Sequence, residues 1–108
     1  MLSRAHSQDL SSAHSRPHVL IIHEVRDYPQ WKGIFDQAAT LRREAGERSY
    51  QVLRDELAPN LVVHFSIWTS HADARRFFES PQLEQIRRDA GVATPRFLYL
   101  QPVAAGEL

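Results

Sequence analysis

The sequence predicts a single α+β domain whose elements run strand, helix, strand, strand, helix, strand. Three observations carry that prediction. Three short runs, His18 to Val25, Leu61 to Trp68 and Pro95 to Val103, are rich in β-branched, aromatic and other apolar residues. Two stretches place apolar residues at three-and-four spacing. An alternating segment, Glu47 to Leu57, is joined to the second β-prone run by a turn signal. The 108 residues fit one domain. A chain of this size buries roughly two-thirds of its unfolded surface, so self-association is a natural source of further burial.

Residues 1 to 17 hold five serines, two histidines and a closing proline with few large apolar residues. Such a stretch cannot offset its ordering entropy, so a flexible arm is expected ahead of a domain spanning 18–104. His6 and His14 lie eight residues apart in that arm, too loosely spaced to read as a metal tract. His18 to Val25 (HVLIIHEV) is short and continuously apolar, the mark of a central strand covered on both faces. Asp27 then reads as an N-cap with Gln30 three residues on, and Pro29 is tolerated in a first turn. The stripe Tyr28, Trp31, Ile34, Phe35, Ala38, Leu41, Ala45 predicts a helix ending at Gly46.

Tyr50, Val52 and Arg54 alternate with Gln51, Leu53 and Asp55, and Ala58-Pro59-Asn60 is a turn signal, so this segment and LVVHFSIW form a hairpin. Ser70 with Asp73 caps a second helix carrying Ala74, Phe77 and Phe78. Ser80-Pro81 interrupts it, because proline cannot donate to the carbonyl four residues back but suits the first position of a restarted helix. Leu83, Ile86 and Ala90 continue the apolar face to Gly91. Pro95 and Pro102 bracket the last strand and fit a sheet edge, where a missing donor costs little.

This order is the split β-α-β pattern of a ferredoxin-like domain. Right-handed crossovers put both helices on one face of a four-stranded antiparallel sheet. Yet the strands are apolar on both phases, with Leu20 and Ile22 beside Val19 and Ile21, and Val63, Phe65 and Ile67 on the phase opposite Trp68. A second copy of the sheet is the simplest cover for the remaining face, so a homodimer is expected.

Composition excludes several classes. Lys+Arg and Asp+Glu number 13 each, so no net field favours nucleic acid or an anionic membrane. The absence of cysteine removes disulfides, thiolate catalysis and Cys-based metal sites, and fits a cytoplasmic protein. No apolar run approaches the roughly 20 residues of a membrane span, and the first residues lack the apolar centre of a secretory signal.

The run His64 to Ser70 (HFSIWTS), Phe77-Phe78 with Ser80, and Leu83 resemble the antibiotic biosynthesis monooxygenase family over about residues 18 to 103. The resemblance implies a dimeric α/β barrel, with ferredoxin-like subunits paired sheet to sheet. It implies, for some members, cofactor-independent oxidation of phenolic polyketide rings to quinones, and for others haem degradation. In the oxygenases a Trp at the end of the third strand and a polar residue four positions earlier face the substrate. Trp68 matches the Trp, while His64 stands where the best-known oxygenases have Asn. The haem degraders use an axial His on the following helix, and residues 72 to 90 contain none.

Strand alternation puts His64, Ser66 and Trp68 on one face, and His23 lies on the neighbouring strand of the predicted fold. Two imidazoles on one cleft offer a base near pH 7, since an unperturbed imidazole titrates at about 6.5. A phenolate or enolate formed there passes an electron to O₂ without a cofactor. The competing reading is that each histidine hydrogen-bonds within a half-buried sheet. A metal site wants a third ligand, and Glu24 lies on the opposite phase from His23, so none is expected. Trp68 reads either as a substrate contact or as a plug between strand and helix, and Trp31 as core. Tyr99 and Tyr50 have hydroxyls suited to orienting a substrate. The Arg pairs at 42–43, 75–76 and 87–88 read as solvated helix surface. No phosphate-binding glycine loop or nucleophile elbow is present. The sequence thus points to a cofactor-free monooxygenase-like enzyme acting on an aromatic or enolisable small molecule, with His64 or His23 as base and Trp68, Ser66, Tyr99 and Tyr50 about the substrate. A small-molecule binder, an isomerase or cyclase using the same cleft, and a purely structural dimer stand as alternatives.

Overall fold

A computed structural model describes residues 16–108. The elements are β1 (His18–Val25), α1 (Tyr28–Gln37), α2 (Ala39–Ala45), β2 (Glu47–Arg54), β3 (Leu61–Trp68), α3 (His71–Phe78), α4 (Pro81–Asp89) and β4 (Val92–Leu100). The sheet order is β2-β3-β1-β4 with every pair antiparallel, the ferredoxin-like arrangement the sequence predicts. The expected N-terminal arm lies outside the described residues apart from Arg16 and Pro17. The Pro17 carbonyl accepts from Trp68 N at 2.9 Å, which extends the β1–β3 ladder by one rung.

The caps work as the sequence indicates. Asp27 accepts from Gln30 N at 3.0 Å, Ser70 from Asp73 N at 2.9 Å and Ser80 from Leu83 N at 3.2 Å. Gln30 does not complete a capping box; its amide donates to Asp89 O at 2.9 Å and ties α1 to the end of α4. The second helix breaks at Ser80-Pro81 as expected. The first breaks too, at Ala38, which the unbroken apolar stripe conceals. Near that break the Phe35 carbonyl, in the last turn of α1, accepts from Arg42 Nη2 at 3.2 Å. A side chain thereby serves a carbonyl that a helix end leaves without a backbone partner.

Two β-bulges correct the simple strand reading. β4 begins at Val92 and ends at Leu100, not at Pro95 and Val103. Ile22 pairs with Arg96 but Glu24 with Ala93, so Thr94 and Pro95 together oppose His23 alone. Pro95 therefore sits in a bulge, where its missing N–H is tolerated, and not at the start of the strand. On β2, Tyr50 pairs with Ser66 and Ser49 with Ile67, yet Glu47 pairs with Trp68. Arg48 is the extra residue, and beyond it the alternation changes phase.

Helices cover one sheet face. Val19, Ile21, His23 and Val25 of β1 and Val62, His64, Ser66 and Trp68 of β3 are buried beneath them. Two apolar clusters form there. One joins Val19, Ile21 and Trp68 to Ala74, Phe77, Phe78 and Leu83; the other joins Val25 and Val62 to Trp31, Phe35 and Ala90. His23 and His64 fall between the two clusters along their strands. The opposite face presents Leu20, Ile22, Val63, Phe65 and Ile67, all half-buried, with Leu53 52% exposed beside Val63.

Candidate functional site

The seam between the clusters is not fully packed. A cavity of about 60 Å³ lies there, walled by Ile21, Trp31, Phe35, Phe77, Phe78 and Leu83 and reached by the side chains of His23, His64, Arg42 and Arg87. Its half-buried lining residues are Ile34 and Ala38 at α1, Ile86 and Arg87 on α4, and Val92 and Phe97 on β4; the rest are buried. That volume holds a few waters or a compact chemical group, and polar atoms within it need partners.

His23 is 5% exposed, and among the described residues neither ring nitrogen has a hydrogen-bond partner. The opposing bulge at Thr94–Pro95 lies beside it, and its ring leans on Trp31 with centroids 5.5 Å apart. Burial, and then repulsion from His64 and Arg87, pushes its pKa down from 6.5 to about 3. The ring is therefore neutral at pH 7 and offers one donor and one acceptor. Arg42 Nε is likewise buried without a partner. Burial also draws the Arg87 guanidinium below the usual arginine range, and Arg87 Nη1 donates to Phe78 O at 3.0 Å.

His64 is held differently. Its Nε2 lies 2.7 Å from Glu47 Oε2, and Glu47 Oε1 lies 2.8 Å from Arg42 Nη1. All three side chains are at most 7% exposed. The Arg42 guanidinium also stacks 3.7 Å from the Phe35 ring centroid, and Phe35 meets the His64 ring edge-on at 4.9 Å. Sequence reasoning missed Glu47 and took Arg42 for solvated surface. Regular alternation would turn Glu47 to the open face. The Arg48 bulge turns it under the helices instead.

The structure thus brings His23 and His64 to one cavity on one sheet face. It does not bring Trp68 or Ser66 there. Trp68 is 2% exposed, packs on Phe77 and Phe78, and donates from Nε1 to Ser66 Oγ at 2.8 Å. Its indole is a core plug behind the cavity, because its one polar atom is satisfied inside the sheet. Tyr50 is 50% exposed over the outer edge of the site, 6.2 Å from the His64 ring. Tyr99 lies away from the cavity, under the Arg75 guanidinium (3.9 Å) and against His71. Burial raises its hydroxyl above the usual tyrosine pKa. Among the described residues no three His, Asp or Glu side chains gather as a metal set, and no helix is long and apolar enough to cross a membrane.

One antiparallel sheet under one helical layer, with an apolar-walled cavity holding two imidazoles between them, defines a ferredoxin-like domain built around a small internal site. The chain belongs to the antibiotic biosynthesis monooxygenase family, whose model matches residues 30–89. Solved structures agree on the fold. A protein of Bordetella bronchiseptica assigned to the antibiotic biosynthesis monooxygenases superposes with a TM-score of 0.70 at 18% identity, covering 83% of this chain and 99% of that one. SnoaB, a cofactor-independent oxygenase from Streptomyces nogalater, gives 0.70 at 16% identity over 84% and 96%. The ActVA-Orf6 monooxygenase of Streptomyces coelicolor, solved in complex with nanaomycin D, gives 0.61 at 14% identity over 88% and 94%. Among curated proteins none matches the sequence significantly.

Proposed function

We propose that this protein is a cofactor-independent monooxygenase-like enzyme acting on an aromatic or enolisable small molecule, with His64 as the base. The observation that carries the reading is the pairing of two buried histidines in one apolar-walled cavity, one of them without a protein partner among the described residues. A buried imidazole at such a cavity is satisfied by a water or by a ligand oxygen, and a substrate oxygen that displaces the water takes over its hydrogen bond. His64 takes the proton of a phenol or of a carbon beside a carbonyl, and the electron pair stays on the substrate. Neutral His23 donates to the oxygen that gathers this charge, inside a site poor in water. The anion then reduces O₂ by one electron, and the radical pair so formed combines on carbon. Tyr50, outside the cavity lining with its ring 6.2 Å from that of His64, orients a substrate at the outer edge on this reading, and Trp68 with Ser66 supports the cavity from behind. Tyr99 acts, on this reading, only through its neighbours.

Oxygen uptake with a panel of anthrone-type phenols tests this reading. Turnover is expected, with His64→Ala lowering kcat by about 10²-fold or more. Absence of uptake across the panel sinks the oxygenase. Ligand-dependent thermal stabilisation without turnover would instead favour a binder on the same cavity.

The protein works, on this proposal, as a homodimer in the cytoplasm. Support comes from the apolar face bearing Leu20, Ile22, Val63, Phe65 and Ile67, which no helix among the described residues covers, and from the absence of cysteine. Sedimentation should show a dimer at micromolar concentration and a monomer for Phe65→Asp. A monomeric parent protein removes the dimer from the proposal.

A further inference from the structure

We infer that Glu47, fixed by Arg42, is a positioning residue that sets which nitrogen of His64 serves as the base. The inference rests on the reading of His64 as the proton acceptor. A carboxylate has no proton to give, so across the 2.7 Å contact His64 Nε2 is the donor and Glu47 Oε2 the acceptor. In the neutral ring the lone pair then lies on Nδ1. When Nδ1 takes the substrate proton, the imidazolium charge forms beside an anion already in place, and no solvent need reorganise. The other carboxylate oxygen is occupied by Arg42 Nη1 at 2.8 Å, so Glu47 cannot rotate away without leaving a guanidinium charge uncompensated. Arg42 is itself anchored on the Phe35 carbonyl and ring.

The charged and titratable groups facing the His64 ring are few. They are Glu47 and Tyr50 from β2, Arg42 from α2, His23 from β1, and Arg87 of α4 across the cavity. Glu47 is the sole anion among them. The other strand histidine has no such partner, which assigns the two rings different tasks: His64 is poised to take a proton, and His23 is kept neutral to donate a hydrogen bond.

Arginine only donates, and this makes the test sharp. In Glu47→Gln the amide oxygen must face Arg42, so the amide NH₂ faces His64 Nε2 and forces the ring proton onto Nδ1. In Arg42→Met/Glu47→Gln the amide is free to turn, and its oxygen accepts from Nε2–H again. Nitrogen-15 NMR of the ring, read on the ligand-free protein near pH 7, should show the Nε2–H form in the parent. It should show the Nδ1–H form in Glu47→Gln and the Nε2–H form restored in the double variant. Wherever turnover is measurable, Glu47→Gln should lower kcat by about 10²-fold or more with KM little changed, and the double variant should recover part of it. A parent His64 carrying its proton on Nδ1 or on both nitrogens overturns the inference, as does a tautomer unmoved by Glu47→Gln. Circular dichroism of each variant separates these results from misfolding. The tautomer is read without substrate, so a failure of the oxygenase reading leaves this result standing or falling alone.

Discussion

Glu47→Ala should cost about 3–5 kcal/mol of unfolding free energy, read as a shift of the urea midpoint at pH 7. The reason is the state of what remains. Arg42 is 6% exposed, and after the truncation its charge faces the Phe35 carbonyl and the rings of Phe35 and Tyr50, with no anion. His64 Nε2 loses its acceptor at the same stroke. The size of the effect is thus the cost of stranding buried donors, and does not measure what the ion pair adds over an apolar substitute. Replacing both partners separates the two quantities. Arg42→Met/Glu47→Leu fills similar volume without a charge and should retain most of the parent stability. A single variant within about 1 kcal/mol of the parent, or a double as damaged as Glu47→Ala, would show that the network is solvated in solution.

The same network marks where sequence reasoning stops. Element order, caps and the shared face of His64, Ser66 and Trp68 are local consequences of period and turn chemistry, and LVVHFSIW displays them openly. Glu47 does not. Its direction depends on one extra residue, Arg48, in the β2–β3 pairing, and a bulge of this kind has no reliable signature in a strand of mixed polarity. The break at Ala38 is concealed for a related reason. No proline or glycine stands at it, and its freed carbonyl is served by the Arg42 side chain seven residues on, a contact no turn signal announces. Arg42 beside Arg43 reads as surface because adjacent helix residues look alike in sequence while facing different ways. Spacing does separate them: Arg42 stands four residues after Ala38 and three before Ala45, in line with the apolar stripe, and Arg43 does not. Trp68 lies on the face that alternation gives it, and of its two readings the structure holds the plug; alternation fixes the side of a sheet and says nothing of which neighbours close over a ring.

His23 should make the fold acid-sensitive in a defined window. Its pKa is about 3 in the folded chain and 6.5 when unfolded, so between these values the unfolded state binds the extra proton. Stability from this group is complete above pH 6.5 and is lost as pH falls towards 3, by about 1.4 kcal/mol per unit. Between pH 7.5 and pH 5 the loss is about 2 kcal/mol. His23→Leu fills the same space with no proton to take and no orphaned nitrogen, so it should unfold at higher urea than the parent, and more so at pH 5 than at pH 7.5. Parallel loss of stability in the two proteins over that range would place the titration elsewhere. The variant also divides the two meanings of a buried unpartnered imidazole. A histidine retained only for packing could be exchanged without functional loss. If His23 donates to the ligand oxygen, His23→Leu gains stability and loses ligand-dependent stabilisation together, the trade expected when a site holds a polar group ready for a partner that arrives only with the substrate.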